Sequence, residues 1–554
     1  MRVGLLGWVW CAAMVAGCSS TSTGAAGGAT EGWFARGGTD AAALTDSTRA
    51  KDSSQVADTK AASDAAGAAG DASAPKPKPD LPPEKEQEPE FGAPEGSPHF
   101  VYIPDPQSDR VVRIHGATLK VSLIEVGDRP TQLKAVPGHD WVVVLNAGSD
   151  ELSVIRSTEK GDTVATLPME PHSNSLLVSP AGTFAAAWFD KERQKAGEPD
   201  GSFQALTLVS LADPPQSLTV SVGFRVRAVH FATDGSKAVV VTDDGVSVVK
   251  LGEVKDGTIV APVAVSPDPL SKPKEREVQT TPDAAWALVR ESGLKGLYAV
   301  HLATKQIALV PLDSVPTDLD LLPGSAGALA VLRDDNAVAF VTLPPDPTDL
   351  IAADVVDVGN LTAGLARLSH DGKTAVLYTT VAGIEQVAAL DLVTRKLKAV
   401  LLKKTVESVV PVLGLRKVML LHKPAPGPKT DDPVEMHVDQ SHGYTLYDLD
   451  TGFTKLVLTP VKPTAMVLSA QPARAWLLLP DQPGGLQQVQ QADFATFLTQ
   501  EVTLGSKPTH VTLLDKAAMV AVAQDHPSGR ITFVPFAGGE PKTVTGYELN
   551  GLVK

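Results

Sequence analysis

Residues 137–145 read PGHDWVVVL, and nearly the same phrase returns at 180–188 (PAGTFAAAW), 282–290 (PDAAWALVR) and 472–480 (PARAWLLLP). Each copy has a proline, three mostly small or polar residues, an aromatic ring and an apolar run. Looser copies begin at Thr233, Pro323, His370 and Asp515, and successive copies lie about 41 to 61 residues apart once the unit between 370 and 472 is counted. Proline and small residues make turns, and runs of Val, Leu and Ala bounded by such turns read as strands. No segment from Phe100 onward keeps a 3.6-residue period beyond a turn or two, so the body is all-β. A period of roughly 40–50 residues is that of one four-stranded propeller blade.

The rest of each unit agrees. A third strand often ends in "DL" or a close variant, as in Ala389-LDLVT, Thr445-LYDLDTG and Ala299-VHLATK. Alternating apolar strands alone would also suit a sandwich; the fixed period with repeated turn chemistry selects the propeller. About seven to ten units fit, and a direct count gives nine fairly complete units plus a partial one at 99–127 that lacks its innermost strand. Tyr547-ELNGLV is left over after the last unit. The expectation is that this C-terminal stretch supplies the missing strand and closes the ring, removing free sheet edges. Ten blades exceed the usual four to eight, so two rings remain an alternative at this point.

The stretch 100–127, FVYIPDPQSDRVVRIHGATLKVSLIEVG, resembles the β-propeller repeats of the YVTN family, and 142–167, VVVLNAGSDELSVIRSTEKGDTVATL, is similar. The YVTN tetrapeptide itself is absent. The resemblance implies the propeller fold over 99–554 and leaves function open.

Upstream, Arg2 and an uncharged, mostly apolar run from Val3 to Val15 read as a short export signal, too short to span a bilayer comfortably. Val15-Ala16-Gly17-Cys18 resembles the lipobox of bacterial lipoproteins. That resemblance implies cleavage after residue 17, lipidation of Cys18 and, with Ser19 next, an outer-membrane destination. Residues 18–98 are rich in Ala, Gly, Ser and Pro and read as a disordered tether. Its Trp33-Phe34 pair is read as incidental.

Composition removes several classes. The net charge of −15 offers no basic stripe for nucleic acid. Cys11 and Cys18 are the two cysteines of the chain, so a disulfide framework, thiolate metal site or CxxCH haem attachment is excluded. No GxSxG, HExxH or P-loop is present.

Candidate sites come from aligning the units. Thr131, Asn174, Arg227, Arg276, Thr317, Thr464 and Thr509 fall where inner strands begin, at the axial funnel. Four of these follow a proline. Hydroxyls with two arginines suit a carboxylate, phosphate or acidic sugar; turn and strand-start chemistry explains the Pro-Thr pairs equally well. The longest insertion, 423–444, holds His437, Asp439 and His442, which have ligand types for zinc or another divalent ion, in a stretch that otherwise reads as a solvated loop. It shares the strand 2–3 position with 190–201, which makes that face a recognition surface. No cofactor is required. The expected function is a membrane-anchored envelope scaffold that binds a protein or glycan, with a propeller-type hydrolase or lactonase, metal-assisted, as the alternative. His115, His230, His301 and His510 read as lone packing or surface residues, and Trp141, Trp188, Trp286 and Trp476 as blade-to-blade core.

Overall fold

The computed structural model describes residues 91–547, apart from Pro269 and residues 428–430. Cys18, the export signal and most of the tether lie outside the described residues.

Ten sheets follow one another along the chain, as blades 1 to 10 over residues 95–125, 130–168, 175–221, 226–263, 276–311, 318–357, 365–401, 406–459, 466–503 and 508–545. Within a blade, consecutive strands pair antiparallel, from an innermost first strand to an outermost fourth. The middle strands read as near-continuous apolar runs because both of their faces are covered. WVVVL in blade 2 and GALAVL in blade 6 are buried almost throughout.

Ten hydrophobic clusters fill the ten seams between blades. One of them joins Val101, Ile103, Val112 and Ile114 of blade 1 to Leu514, Ala521, Ile531 and Phe533 of blade 10. The ring is therefore single and closed. The expected tryptophan roles hold for Trp188, Trp286 and Trp476, which are 8%, 5% and 0% exposed. Trp141 is the partly exposed one, with His139 stacked on it at 4.4 Å and Arg156 over its ring at 4.6 Å.

The closing device differs from the expected one. The innermost strand of blade 1 is Glu95–Gly96, paired with Val101 and Tyr102, so it comes from the N-terminal side. The body therefore begins ahead of residue 99. Sequence pattern could not show a two-residue strand, because it has no period to read. Of the stretch expected to close the ring, Tyr547 packs its ring against Phe91 at 5.3 Å and joins the blade 1–10 seam, while residues 548–554 lie outside the described residues.

Blade 4 also departs from the repeat. Its sheet has three strands, and Thr258–Ile259 pairs in parallel with the outer strand of blade 3, at Val220 and Ser221. The chain then returns to make a single bridge from Val263 to Val246. Pro262, which has no N–H to give a ladder, marks where it changes partner.

The repeated turn has a backbone reason. In these strand 1–2 turns a corner residue adopts positive φ, as at Gly138 (75°), Gly182 (68°), Gly235 (71°) and Gly372 (65°). Blade 10 puts Ala518 there at 53°, exposed to solvent. A side chain disfavours that region by about 1 kcal/mol. Ala518→Gly is therefore expected to raise the thermal midpoint slightly, as measured by calorimetry; a lowered midpoint contradicts the strain.

Candidate functional site

The side of the ring where innermost strands begin also carries the strand 2–3 loops and the links between blades. Here it is called the upper face. In blades 2, 4, 8 and 10 the register between the first two strands slips by one residue, at Thr131, Arg227, Glu407 and Thr509. Such a bulge leaves one residue unpaired and redirects its side chain. The bulge explains why the sequence alignment converged on three of these positions; Glu407 was not among them.

Most of the expected hydroxyls are engaged locally. Thr131 Oγ1 donates to the Leu145 carbonyl at 3.5 Å, Thr509 Oγ1 to that of Ala523 at 3.3 Å, and Thr317 Oγ1 to those of Val331 and Gly364 at 3.3 and 2.8 Å. Thr464 is exposed and donates its backbone N–H to the Leu478 carbonyl. The hydroxyls of Thr131, Thr317 and Thr509 thus brace strand starts.

The arginines do gather. Arg227 donates from Nε to Asp243 Oδ1 at 2.5 Å and from Nη1 to Glu192 Oε1 at 2.6 Å. Arg225 lies 3.5 Å from Glu192 and 3.9 Å from Asp243. Arg276 donates from Nη2 to the Asp243 carbonyl. Three guanidinium groups thus surround the blade 4 loop and the blade 3 insertion. Burial pulls the Arg227 pKa down, but the carboxylates of Asp243 and Glu192 outweigh it and leave the group above its ordinary value. Burial, with Arg227 close by, holds Arg276 below its ordinary value. Arg276 makes one hydrogen bond through its side chain among the described residues, so the rest of its donor fork is uncommitted.

Asn174 clasps the root of the insertion instead of facing a ligand. Its Oδ1 accepts the Asp190 N–H at 2.7 Å and its Nδ2 donates to the Asp190 carbonyl at 2.9 Å. Beyond Asp190 the insertion folds back through three rings: Phe189 meets Phe203 edge-on at 5.4 Å, and Phe203 stacks on Phe224 at 5.5 Å. Phe224 stays 44% exposed beside the arginines. Because Arg227 bonds Glu192, Arg227→Ala is expected to release the insertion. Limited proteolysis should then cut within 190–201 at least severalfold faster than in wild type; unchanged cutting contradicts the tie.

The insertion of blade 8 is not wholly a loop. Helix α1 spans Pro433–Gln440, with the Asp432 side chain accepting the Val434 N–H and proline at its first turn. Asp-Pro followed by Glu435 is a helix-start signal that the proline-rich setting masked. Lys404, 2% exposed, donates to the Val438 and Asp439 carbonyls at the helix end, and burial lowers its pKa. A cation at a helix C-terminus is well placed.

The three ligand candidates sit in separate settings. His437 is exposed on α1. Asp439 accepts the Gly427 N–H at 2.9 Å. His442 begins the third strand of blade 8, where burial and Lys462 lower its pKa. No group of three or more His, Cys, Asp or Glu side chains suited to a metal occurs among the described residues.

The lone histidines prove partly functional for the fold. His115 Nδ1 accepts the N–H groups of Ala117 and Thr118, and His301 Nδ1 accepts that of Thr304. Asp391, Asp448 and Asp493 do the same work in the matching turns of blades 7, 8 and 9. The aligned "DL" and "HL" tails carried that signal.

No protein-family model and no curated protein matches this chain. Similar solved structures include the Kuenenia stuttgartiensis hydrazine synthase, at 15% identity over 56% of this chain and 94% of that one, with a TM-score of 0.27. A dihydro-heme d1 dehydrogenase, NirN, in complex with DHE is 12% identical over 63% and 74%, with a TM-score of 0.34. The Cps50 (Swd1) β-propeller domain of Myceliophteria thermophila is 13% identical over 53% and 93%, with a TM-score of 0.32.

Proposed function

We propose that the chain is a lipid-anchored binding scaffold of the bacterial envelope, attached through Cys18, whose upper face receives an acidic group of a protein or glycan partner. The observation that carries the binding reading is Arg276. It sits between blades 4 and 5 with one hydrogen bond made, next to Arg225, Arg227 and the exposed ring of Phe224. A guanidinium fork suits carboxylate, phosphate and sulfate oxygens, and a neighbouring aromatic face adds contact area. The anchor reading rests on the Val15-Ala16-Gly17-Cys18 stretch and the tether after it. Stable attachment needs more than one acyl chain.

Two variants separate the two parts. Crosslinked pull-down from native membranes is expected to recover a partner with wild type and to lose it with Arg276→Glu. Equal recovery by both, or recovery of the body alone, overturns the binding reading. Cys18→Ser is expected to abolish labelled palmitate incorporation and to move the chain from the membrane to the soluble fraction. Retention of label by that variant overturns the anchor.

A further inference from the structure

Blades 1 and 2 also meet on the opposite, lower face, at the turns between their third and fourth strands. A small pocket opens there, lined among others by Arg113, His115, Thr118, Lys120, Thr158 and Glu159. Its chemistry is one-sided. Arg113 is 6% exposed and donates to Asp162, to the Thr158 carbonyl and, at 3.1 Å, to Ser122 Oγ, while its buried Nε keeps no partner. His115 Nδ1 accepts the Ala117 and Thr118 N–H groups at 3.1 and 3.3 Å. That fixes the ring proton on Nε2, which donates to Glu159 Oε1 at 3.0 Å. Lys120 is exposed, and its ammonium has no carboxylate partner among the described residues. The hydroxyls of Thr118 and Thr158 complete the lining.

We infer that this pocket is a binding site for a tetrahedral oxyanion, a phosphate or sulfate group, and that Glu159 stands in for the ligand when the site is empty. Two carboxylates are near, and they differ in kind. Asp162 is 16% exposed, pairs with Arg113 and accepts Ser157 Oγ at 2.6 Å, so it belongs to the frame. Glu159 is 74% exposed and is held by His115 alone among the contacts resolved here. An exposed pair of that kind is worth little and breaks readily. The Thr158 hydroxyl is committed to the Gly161 carbonyl at 3.0 Å; when Glu159 swings out, the His115 Nε2–H, the Lys120 ammonium and the Thr118 hydroxyl are left with no acceptor between them. These donors come from one turn of blade 1, facing the matching turn of blade 2. A group with three free oxygens answers them better than a two-oxygen carboxylate.

The test is titration calorimetry of the full chain with inorganic phosphate, sulfate and acetate in turn. Phosphate or sulfate is expected to bind saturably and more tightly than acetate. Glu159→Gln, which removes the internal competitor, is expected to tighten phosphate or sulfate binding about fivefold. Lys120→Ala is expected to weaken it about tenfold. Both changed residues are exposed, so circular dichroism should confirm an unaltered fold. No saturable binding to either wild type or Glu159→Gln overturns the site. Acetate binding as well as phosphate and sulfate overturns the tetrahedral class. Weaker binding by Glu159→Gln overturns the stand-in role of that residue.

Discussion

Phe533→Ala is expected to cost the propeller about 3–5 kcal/mol, the range for emptying a buried aromatic site. Phe533 is 1% exposed and belongs to the cluster that closes blade 10 on blade 1. The seam differs from the other nine in one covalent respect. Elsewhere a continuous link of four to twelve residues joins the neighbouring blades, whereas blades 1 and 10 are held by packing and by hydrogen bonds such as Lys516 N–H and Ala517 N–H to the Pro98 carbonyl. A cavity here therefore weakens the one contact that keeps the ring shut. Urea unfolding should show a lowered midpoint, and hydrogen exchange should quicken first in 100–115 and 519–535. The comparison is Trp476→Ala, a fully buried ring in the seam between blades 9 and 10. If exchange in blades 1 and 10 responds equally to both variants, the closing seam has no special standing.

Glu95→Gln is expected to stabilise the protein at pH 8 and to leave it unchanged near pH 4. Glu95 lies in the two-residue innermost strand, where Oε1 accepts the Ala135 N–H at 3.3 Å. Burial pushes its carboxyl up to about 7, against the opposing effect of Lys134 and the Ala135 N–H. Between roughly pH 4.5 and 7 the folded chain thus holds a proton that the unfolded chain has released. Stability falls as pH rises through that window, by about 3 kcal/mol at the upper limit. Below it, wild type carries a neutral acid and matches the amide. Above it, wild type must keep a carboxylate in the inner wall and the amide need not. Thermal midpoints across pH 4–8 should diverge in that direction. A variant less stable than wild type at pH 8 means that Lys134 outweighs burial and makes the charged form favourable.

The repeat made the fold legible. A proline turn and an apolar run recur because most blades turn through a positive-φ corner into the same doubly covered second strand. Even the count of nine units and a partial one matches the ten sheets. What escaped were departures from the repeat. Glu95–Gly96 is too short to show a period, and Thr258–Ile259 pairs with the wrong neighbour for its place in the chain. The site was legible as a set of positions more than as chemistry. Aligning the units found three of the four bulged residues, but whether a threonine hydroxyl is free or bonded to Val331 or Ala523 depends on a strand that sequence spacing does not locate. Arg227 and Arg276 were found, whereas Arg225, Glu192 and Asp243 come to them through the fold of a neighbouring insertion and loop.

The innermost strand of blade 1 has a mechanical meaning. Tension arriving along the chain at residue 91 is borne by Glu95–Gly96, the Gly92 N–H bond to the Pro104 carbonyl and the contact of Phe91 with Tyr547. That is a short clasp in series with a long ring. Under load it yields first, like a fuse, and the nine covalently linked seams stay folded behind it.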